Sequence, residues 1–356
     1  MKLTYETRTL HTKHTFTIAR GGASSWRVVT VTLTDEDGVF GIGEAAPSRF
    51  YGETPETVVA ALEQFRPLLE SIDPWCLETM EEEMNRALRG NSSAKSAASA
   101  ALHDLAGKRL GLPLYRLWGL DASRAPHSSF TIGVAPEQEL RLKVREAASY
   151  PILKVKLGTD RDAEILRVIR EEAPDKILRV DANAAWTARQ ALAMMDVLAE
   201  HRVEFVEQPL APHDVRGLRF VRERSTLPII ADESCVLLSD VARMADTVDG
   251  INIKLAKCGG LREAVKMIVA ARANGLLVMM GCMIESSLGI TAAAHMAPLL
   301  DFADLDGAAL LADDPYTGAT IENGVITIPT EPGLGVMPSA RAAGEPAARG
   351  RRARAG

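Results

Sequence analysis

Six polar residues, Thr131, Lys156, Asp181, Glu207, Asp232 and Lys254, each lie near the end of a short apolar run, and they follow one another at intervals of 25, 25, 26, 25 and 22 residues. Each interval is the length of one strand, one helix and two short connections. The runs are "SSFTIGV", "ILKVKLG", "ILRVDAN", "VEFVEQP", "LPIIADES", "GINIKLAKCGG", "GLLVMMGCMIE" and "DFADLDG", eight in all, with amphipathic helical stretches between most of them. This alternation predicts an α/β fold built on a closed parallel barrel. In such a barrel the C-terminal strand ends share one face, so residues remote in sequence become one ring of functional groups.

The chain before the first run has a different texture. Residues 1–50 read as strands and turns, with a hairpin around Asp37-Gly38. Residues 55–110 read as helices: Thr54-Pro55-Glu56 is a helix start with proline in the first turn, and "SSAKSAASAALHDLAGKRLG" is alanine-rich and closed by Gly111. Together these make an α+β module of about a hundred residues, a usual domain size.

Composition narrows the function classes. With 356 residues, 47% hydrophobic and 25% charged, the chain is long enough for one large barrel or two modest domains. Its net charge is −6, and residues 339–356 hold five arginines against one glutamate, which leaves −10 for the rest. A body that acidic disfavours nucleic acid as a partner, and the Arg/Ala/Gly ending reads as an unstructured extension. The first residues carry no apolar run of signal-peptide length and no stretch is long enough to span a bilayer, so a cytoplasmic protein with no membrane partner is expected. Cys76, Cys235, Cys258 and Cys282 form no C-x-x-C pair and the histidines no H-x-x-x-H. Reduced thiols follow, and any metal would be held by carboxylates. Oligomeric state is not readable, which leaves homo-oligomer formation open.

The ring itself suggests a chemistry. Asp181, Glu207 and Asp232 end three consecutive strands; one such acid alone reads as a helix N-cap, but three converging carboxylates repel unless a cation holds them together. Oxygen-only ligands favour a hard ion, Mg²⁺ first and Mn²⁺ as an alternative. Lys154 and Lys156 are two apart on one strand and face the same way, so mutual repulsion and desolvation are expected to lower at least one pKa. Lys156 on the second strand and Lys254 on the sixth come from nearly opposite walls. A substrate carboxylate at the metal would present its α-carbon between the two amines, a geometry suited to proton transfer on either face through an enediolate.

The motifs K-x-K (Lys154, Lys156), D-A-N (Asp181), E-Q-P (Glu207), D-E-S (Asp232) and I-K-L-A-K-C-G-G (Lys254) resemble the enolase superfamily, within its muconate-lactonising-like subgroup. The resemblance runs over residues 1–337; "GEAAPSRFYGET" is similar to its capping-domain loop and "FADLDG" to the D-x-D element of dipeptide epimerases of the L-Ala-D/L-Glu type. It implies a modified TIM barrel of the (β/α)7β type over residues 116–314, an α+β cap over 1–115 completed by about 315–337, and a disordered tail over 338–356. It further implies an isomerase: Mg²⁺ on Asp181, Glu207 and Asp232, Lys156 and Lys254 as the acid/base pair, Lys154 beside the substrate carboxylate, and Asn183 supporting the metal ligands. Asp304 and Asp306 would hold the α-ammonium of a dipeptide, although alone they read as turn-forming aspartates. Thr131 and the segment from Cys282 through Ile284 to Glu285 would line the pocket. Arg20, before Gly21-Gly22 on a loop read as a lid, would meet the substrate side chain. An acidic side chain would suit Arg20, whereas Glu53, Asp301, Asp313 and Asp314 are candidates for contacting a cationic one, so the side-chain preference stays open among acidic, cationic and hydrophobic. The rival reactions are o-succinylbenzoate synthesis, cycloisomerisation and racemisation of N-acylamino acids, whose substrates lack the free ammonium that a D-x-D pair would bind. A Schiff-base aldolase leaves the three acids unexplained, and an inert metal-stabilised binding scaffold is the non-enzymatic alternative.

Overall fold

The computed structural model describes residues 1–340; the expected unstructured ending lies outside the described residues from 341 onward. The chain opens with a long hairpin of β1 (Lys2–Ile18) and β2 (Gly21–Thr34), continued by β3 (Phe40–Ala45) into a three-stranded antiparallel sheet. The Asp37-Gly38 turn joins β2 to β3 as the sequence predicts. The loop holding Arg20 is short, a two-residue turn, Ala19-Arg20, with Ile18 paired to Gly21. Gly21 sits at φ 124°, a conformation that glycine adopts at little cost.

Three helices cover this sheet: α1 (Pro55–Ser71), α2 (Leu77–Ala87) and α3 (Ser92–Leu110). Thr54 caps α1 reciprocally with Thr57, with Pro55 in the first turn, and Gly111 ends α3 in the left-handed conformation at φ 69°. The alanines and serines of α3 have a plain cause. Side chains from Ser93 to Gly107 are buried all round, because α3 lies between the sheet and the barrel. A Cβ at Gly41 or Gly43 would collide with the α3 backbone at Ala101 and Ala97, so close approach requires glycine on one side and small residues on the other.

The eight apolar runs form eight strands, β4 (Phe130–Ile132), β5 (Ile152–Lys156), β6 (Ile177–Asp181), β7 (Val203–Glu207), β8 (Ile229–Ala231), β9 (Gly250–Ile253), β10 (Leu277–Gly281) and β11 (Phe302–Asp304). They are parallel and each pairs with its sequence neighbour. Ser129 N donates to Ala303 O at 3.0 Å, and Ser128 bridges Ala303, which closes β11 onto β4. Each of the first seven strands is followed by an α-helix, whereas β11 is followed only by a 3-10 turn, Ala308–Leu310. This is the (β/α)7β barrel. Its core is a large apolar cluster of strand and helix side chains, with a second, smaller one of Phe205, Ile230 and Met279 from β7, β8 and β10.

A hydrogen bond and a close backbone approach help set the cap against the barrel mouth. Val134 N donates to Thr17 O at 2.9 Å, and a Cβ at Gly133 would come 3.0 Å from that same oxygen. The hairpin tip is thereby brought over the strand ends. The chain after β11 touches both parts: Leu334 N donates to Asp104 of α3 at 2.7 Å, and Leu334 O meets His295 Nε2 at 3.1 Å. No helix among the described residues is long and apolar enough to cross a membrane.

Candidate functional site

Parallel pairing carries the ring residues into register. Lys156 pairs with Asp181 across β5 and β6, and Asp181 with Glu207 across β6 and β7; Asp232 follows β8 by one residue and Lys254 follows β9 directly. One oxygen from each of Asp181, Glu207 and Asp232 can be chosen so that the three lie within 4.8 Å of one another, and all three residues are buried. Lys156 Nζ donates to Asp181 Oδ2 at 2.7 Å and Lys254 Nζ to Asp232 Oδ2 at 2.8 Å. Since β5 and β9 are four strands apart in a ring of eight, these amines approach the triad from opposing walls.

Lys154 occupies the centre. Its Nζ lies 2.7 Å from Asp304 Oδ2, 2.7 Å from Glu207 Oε2 and 3.4 Å from Asp181 Oδ2. The Glu207 contact is too oblique for a hydrogen bond, so Glu207 Oε2 is a buried oxygen that accepts none. Here the charge balance differs from the sequence expectation. Burial alone would depress the Lys154 pKa, but Asp304, Glu207 and Asp181 outweigh it and hold the ammonium well above its ordinary value. Lys254 is raised too, with burial opposed mainly by Asp232. For Lys154 the expectation weighed the i, i+2 neighbour and burial, not the acids that other strands bring in.

The acids respond in turn. Despite burial, Asp181 falls to about 2 through Lys156 and Lys154. Asp232 is also held below the carboxylate range, by Lys254 and Lys257 against burial. Glu207 rises to about 7 through burial and the Asp181 charge. Asp306 rises to about 7 through burial and Asp304.

The other predicted residues also gather at this mouth, except Glu285, which accepts from Met283 N and does not line the cavity. Thr131 N donates to Asp306 Oδ2 at 2.6 Å, and Ser129 Oγ to Asp304 Oδ1 at 2.6 Å. Asn183 Nδ2 donates to Asp181 Oδ2 at 3.1 Å, from a backbone at φ 46° that is sparsely populated outside glycine. Cys282 Sγ donates to Asp304 O at 3.3 Å. A cavity of about 540 Å³ is lined by Thr131, Lys154, Lys156, Lys254, Cys282, Ile284, Asp304, Asp306, Asn183 and Arg20. Arg20 Nη1 donates to Asn183 O at 2.6 Å and Nη2 to Glu233 Oε1 at 2.9 Å, so the turn is tied to the barrel. Of the four acids considered for a cationic side chain, only Glu53 reaches the cavity lining, and it already accepts from Ser93. Asp301 pairs with Arg272, Asp313 with His11, and Asp314 accepts from Ser287.

Sequence reasoning passed over four residues. Asn252 Nδ2 donates to Glu207 Oε1 at 2.8 Å; its position two residues before Lys254 on one strand was the available signal. Lys257, 1% exposed, places Nζ 2.5 Å from Asp232 Oδ1 and donates to the carbonyls of Asp232, Asn252 and Cys235. Gln208 Oε1 accepts from Asp232 N and Ser234 N at 2.9 and 3.0 Å, which sets the turn after β8. Glu233 stood inside the D-E-S motif without a role.

The ligand set suits a hard divalent cation: only oxygens converge, they are buried, and one of them, Glu207 Oε2, lacks a hydrogen-bond donor. The chain as a whole is similar to known proteins. Residues 3–119 match the model of the mandelate racemase/muconate lactonizing enzyme N-terminal domain, and residues 138–342 that of the enolase C-terminal domain-like family. The chain is 41% identical to an L-Ala-D/L-Glu epimerase of Bacteroides thetaiotaomicron, over 95% of this chain and 88% of that protein. It is 40% identical to a hydrophobic dipeptide epimerase of Roseobacter litoralis, over 94% and 98%. The crystal structure of a dipeptide epimerase from Enterococcus faecalis, complexed with Mg and L-Leu-L-Tyr, superposes with a TM-score of 0.90 at 34% identity, covering 94% of this chain and 98% of that one.

Proposed function

Because this chain belongs to the enolase superfamily, in its mandelate racemase/muconate lactonizing branch, we propose that it is a Mg²⁺-dependent dipeptide epimerase that inverts the α-carbon of the C-terminal residue. The observation that carries this reading is the pair of amines, Lys156 and Lys254, reaching one carboxylate triad from strands four apart. Asp181, Glu207 and Asp232 would hold the cation, with Mn²⁺ able to replace Mg²⁺ in the same oxygen set. When bound, the cation supplies positive charge beside the substrate carboxylate, where negative charge builds as the α-proton leaves.

The chain's own residues do the rest. Lys156 shares its charge with Asp181 and Lys254 with Asp232, so engagement of those carboxylates by another cation releases each amine toward proton exchange. The amine on one wall accepts the α-proton; the amine on the other returns a proton to the opposite face, and configuration inverts. Lys154, held charged among three acids, is placed to contact the substrate carboxylate. Asn183 and Asn252 orient Asp181 and Glu207. Asp304 and Asp306, fixed by Ser129 and Thr131, would take the α-ammonium of the N-terminal residue, a role that an N-acylated substrate or o-succinylbenzoate precursor leaves empty.

The test is incubation of dipeptide mixtures with protein and Mg²⁺ in deuterium oxide, read by mass spectrometry. A one-dalton gain in some dipeptides, abolished by chelator and restored by added Mg²⁺, is the expected result. No exchange in any dipeptide would overturn the reading, and borohydride trapping of a substrate adduct would favour Schiff-base chemistry instead.

A further inference from the structure

The tetrahedral α-carbon leaves one direction for the substrate side chain. On the reading above, its carboxylate lies at the triad, its proton faces one of two lysines, and its amide nitrogen leads to Asp304 at the end of β11 and Asp306 just beyond it. The side chain must then rise out of the barrel mouth, over the strand ends of β6 to β8 and under the cap hairpin. Arg20 occupies that side, donating to Asn183 beyond β6 and to Glu233 beyond β8.

The roof of the cavity is mostly apolar. Phe16, Ile18 and Trp26 come from the hairpin, Phe50 from the 3-10 turn Arg49–Tyr51, and Ile284 and Leu310 from barrel loops. Phe16 and Trp26 meet edge to face with centroids 6.5 Å apart, and several of these residues pack against one apolar cluster shared by cap and barrel. Two of the three arginines of the roof are already matched. The Arg20 guanidinium stacks 4.2 Å from the Phe50 ring centroid while bonded to the Glu233 carboxylate, whose side chain is 1% exposed. Arg27 pairs with Glu56 at 2.6 Å, both at the solvent edge. Arg49 is the cavity-lining cation with no ion-pair partner among the described residues, and it is exposed at the rim, where water screens it.

We propose, resting on the epimerase reading, that Glu233 neutralises Arg20 and so tunes this cavity to dipeptides whose C-terminal side chain is uncharged and apolar. An acidic side chain entering beside Arg20 would be brought close to the Glu233 carboxylate, including an oxygen that accepts no hydrogen bond. It would meet repulsion together with a cation already satisfied. A cationic side chain would meet Arg20 itself. An apolar one displaces water from the aromatic and aliphatic roof without disturbing the pair. Arg20 and Glu233 are thus specificity-determining residues, and the internal carboxylate takes the place that a substrate carboxylate would otherwise fill.

The experiment compares kcat/KM for L-Ala-L-Leu, L-Ala-L-Phe, L-Ala-L-Glu and L-Ala-L-Lys with the Mg²⁺-loaded full chain. The apolar substrates are expected to lead the charged ones by at least about tenfold, the scale of one hydrogen-bonded charge contact. Glu233→Gln frees the Arg20 charge and is expected to move the Glu-to-Leu ratio toward Glu by a similar factor. Arg20→Met, which tests the same point should the first variant fail to fold, is expected to leave that ratio within about twofold, less than such a contact is worth. A wild-type preference for Glu or Lys, an unmoved ratio in folded Glu233→Gln, or a selective loss of L-Ala-L-Glu activity in Arg20→Met overturns the pairing while leaving epimerisation intact. Absence of exchange with every dipeptide overturns the epimerase reading and this inference with it.

Discussion

Replacing Lys257 with methionine removes an ammonium while keeping much of the side chain's length and apolar volume. The lysine is fully enclosed: Nζ lies 2.5 Å from Asp232 Oδ1, 2.6 Å from Asp232 O, 2.9 Å from Asn252 O and 3.2 Å from Cys235 O. Deleting one partner of a buried ion pair costs about 3–5 kcal/mol, because the other charge stays desolvated and uncompensated. Asp232 keeps Lys254 on its other oxygen, and repacking relieves part of the loss at the three carbonyls. The expected destabilisation is therefore about 3–5 kcal/mol, a large share of the roughly 5–15 kcal/mol that holds a domain together. Equilibrium urea unfolding followed by circular dichroism measures it, and a lower midpoint with unchanged slope marks a stability loss without a change in compactness. Saturating Mg²⁺ should restore part of the loss, since a cation on Asp232 replaces the missing charge and binds only the folded state. A loss below about 1 kcal/mol, the range of an exposed ion pair, would refute the enclosed-charge argument.

Other outcomes follow from the same geometry. His103, buried in α3 with Nδ1 on Ser99 O and Nε2 unpartnered, is lowered from 6.5 to about 4 by burial. Below 6.5 the unfolded chain therefore binds the extra proton, so this residue's contribution falls as pH drops from 6.5 to about 4 and is level below that. The stability gap between wild type and His103→Gln should shrink by about 3 kcal/mol across that window, read by urea unfolding at several pH values. Asp306→Asn should raise KM for dipeptides by at least about tenfold, as loss of a charged hydrogen bond does, with Mg²⁺ affinity by calorimetry unchanged. A parallel fall in Mg²⁺ affinity would count against a role in binding the substrate ammonium. Asp181→Asn, Glu207→Gln and Asp232→Asn should each lose the Mg²⁺-induced rise in melting temperature; a variant that keeps it is not a metal ligand.

The barrel was legible because a βα unit has a nearly constant length, so six polar residues at regular intervals mark six strands and their shared face, and two further apolar runs complete the eight. Lys154 and Lys156 were legible as inward-facing for the same reason that Asn252 should have been: period two along a strand. Lys257 was not, since it lies on the four-residue helix Leu255–Cys258 after β9, and its inward turn toward Asp232 depends on tertiary packing. The partners of Arg20 lie 163 and 213 residues away. No local pattern reports them, because they exist only once the cap hairpin has docked on the barrel. The Lys154 pKa was not legible on the same ground: repulsion between Lys154 and Lys156 is local, whereas the acids that outweigh it at Lys154 arrive from β6, β7 and β11.

On the proposed mechanism, two amines on opposing walls exchange protons with one metal-bound substrate. This is tested most directly by following a single dipeptide and its epimer separately by proton NMR in deuterium oxide with Lys156→Ala and Lys254→Ala, each loaded with Mg²⁺. The account predicts that neither variant epimerises and that each still exchanges the α-proton of one stereoisomer, a different one for each variant. Exchange of the same isomer by both, or inversion by either at the wild-type rate, would contradict it.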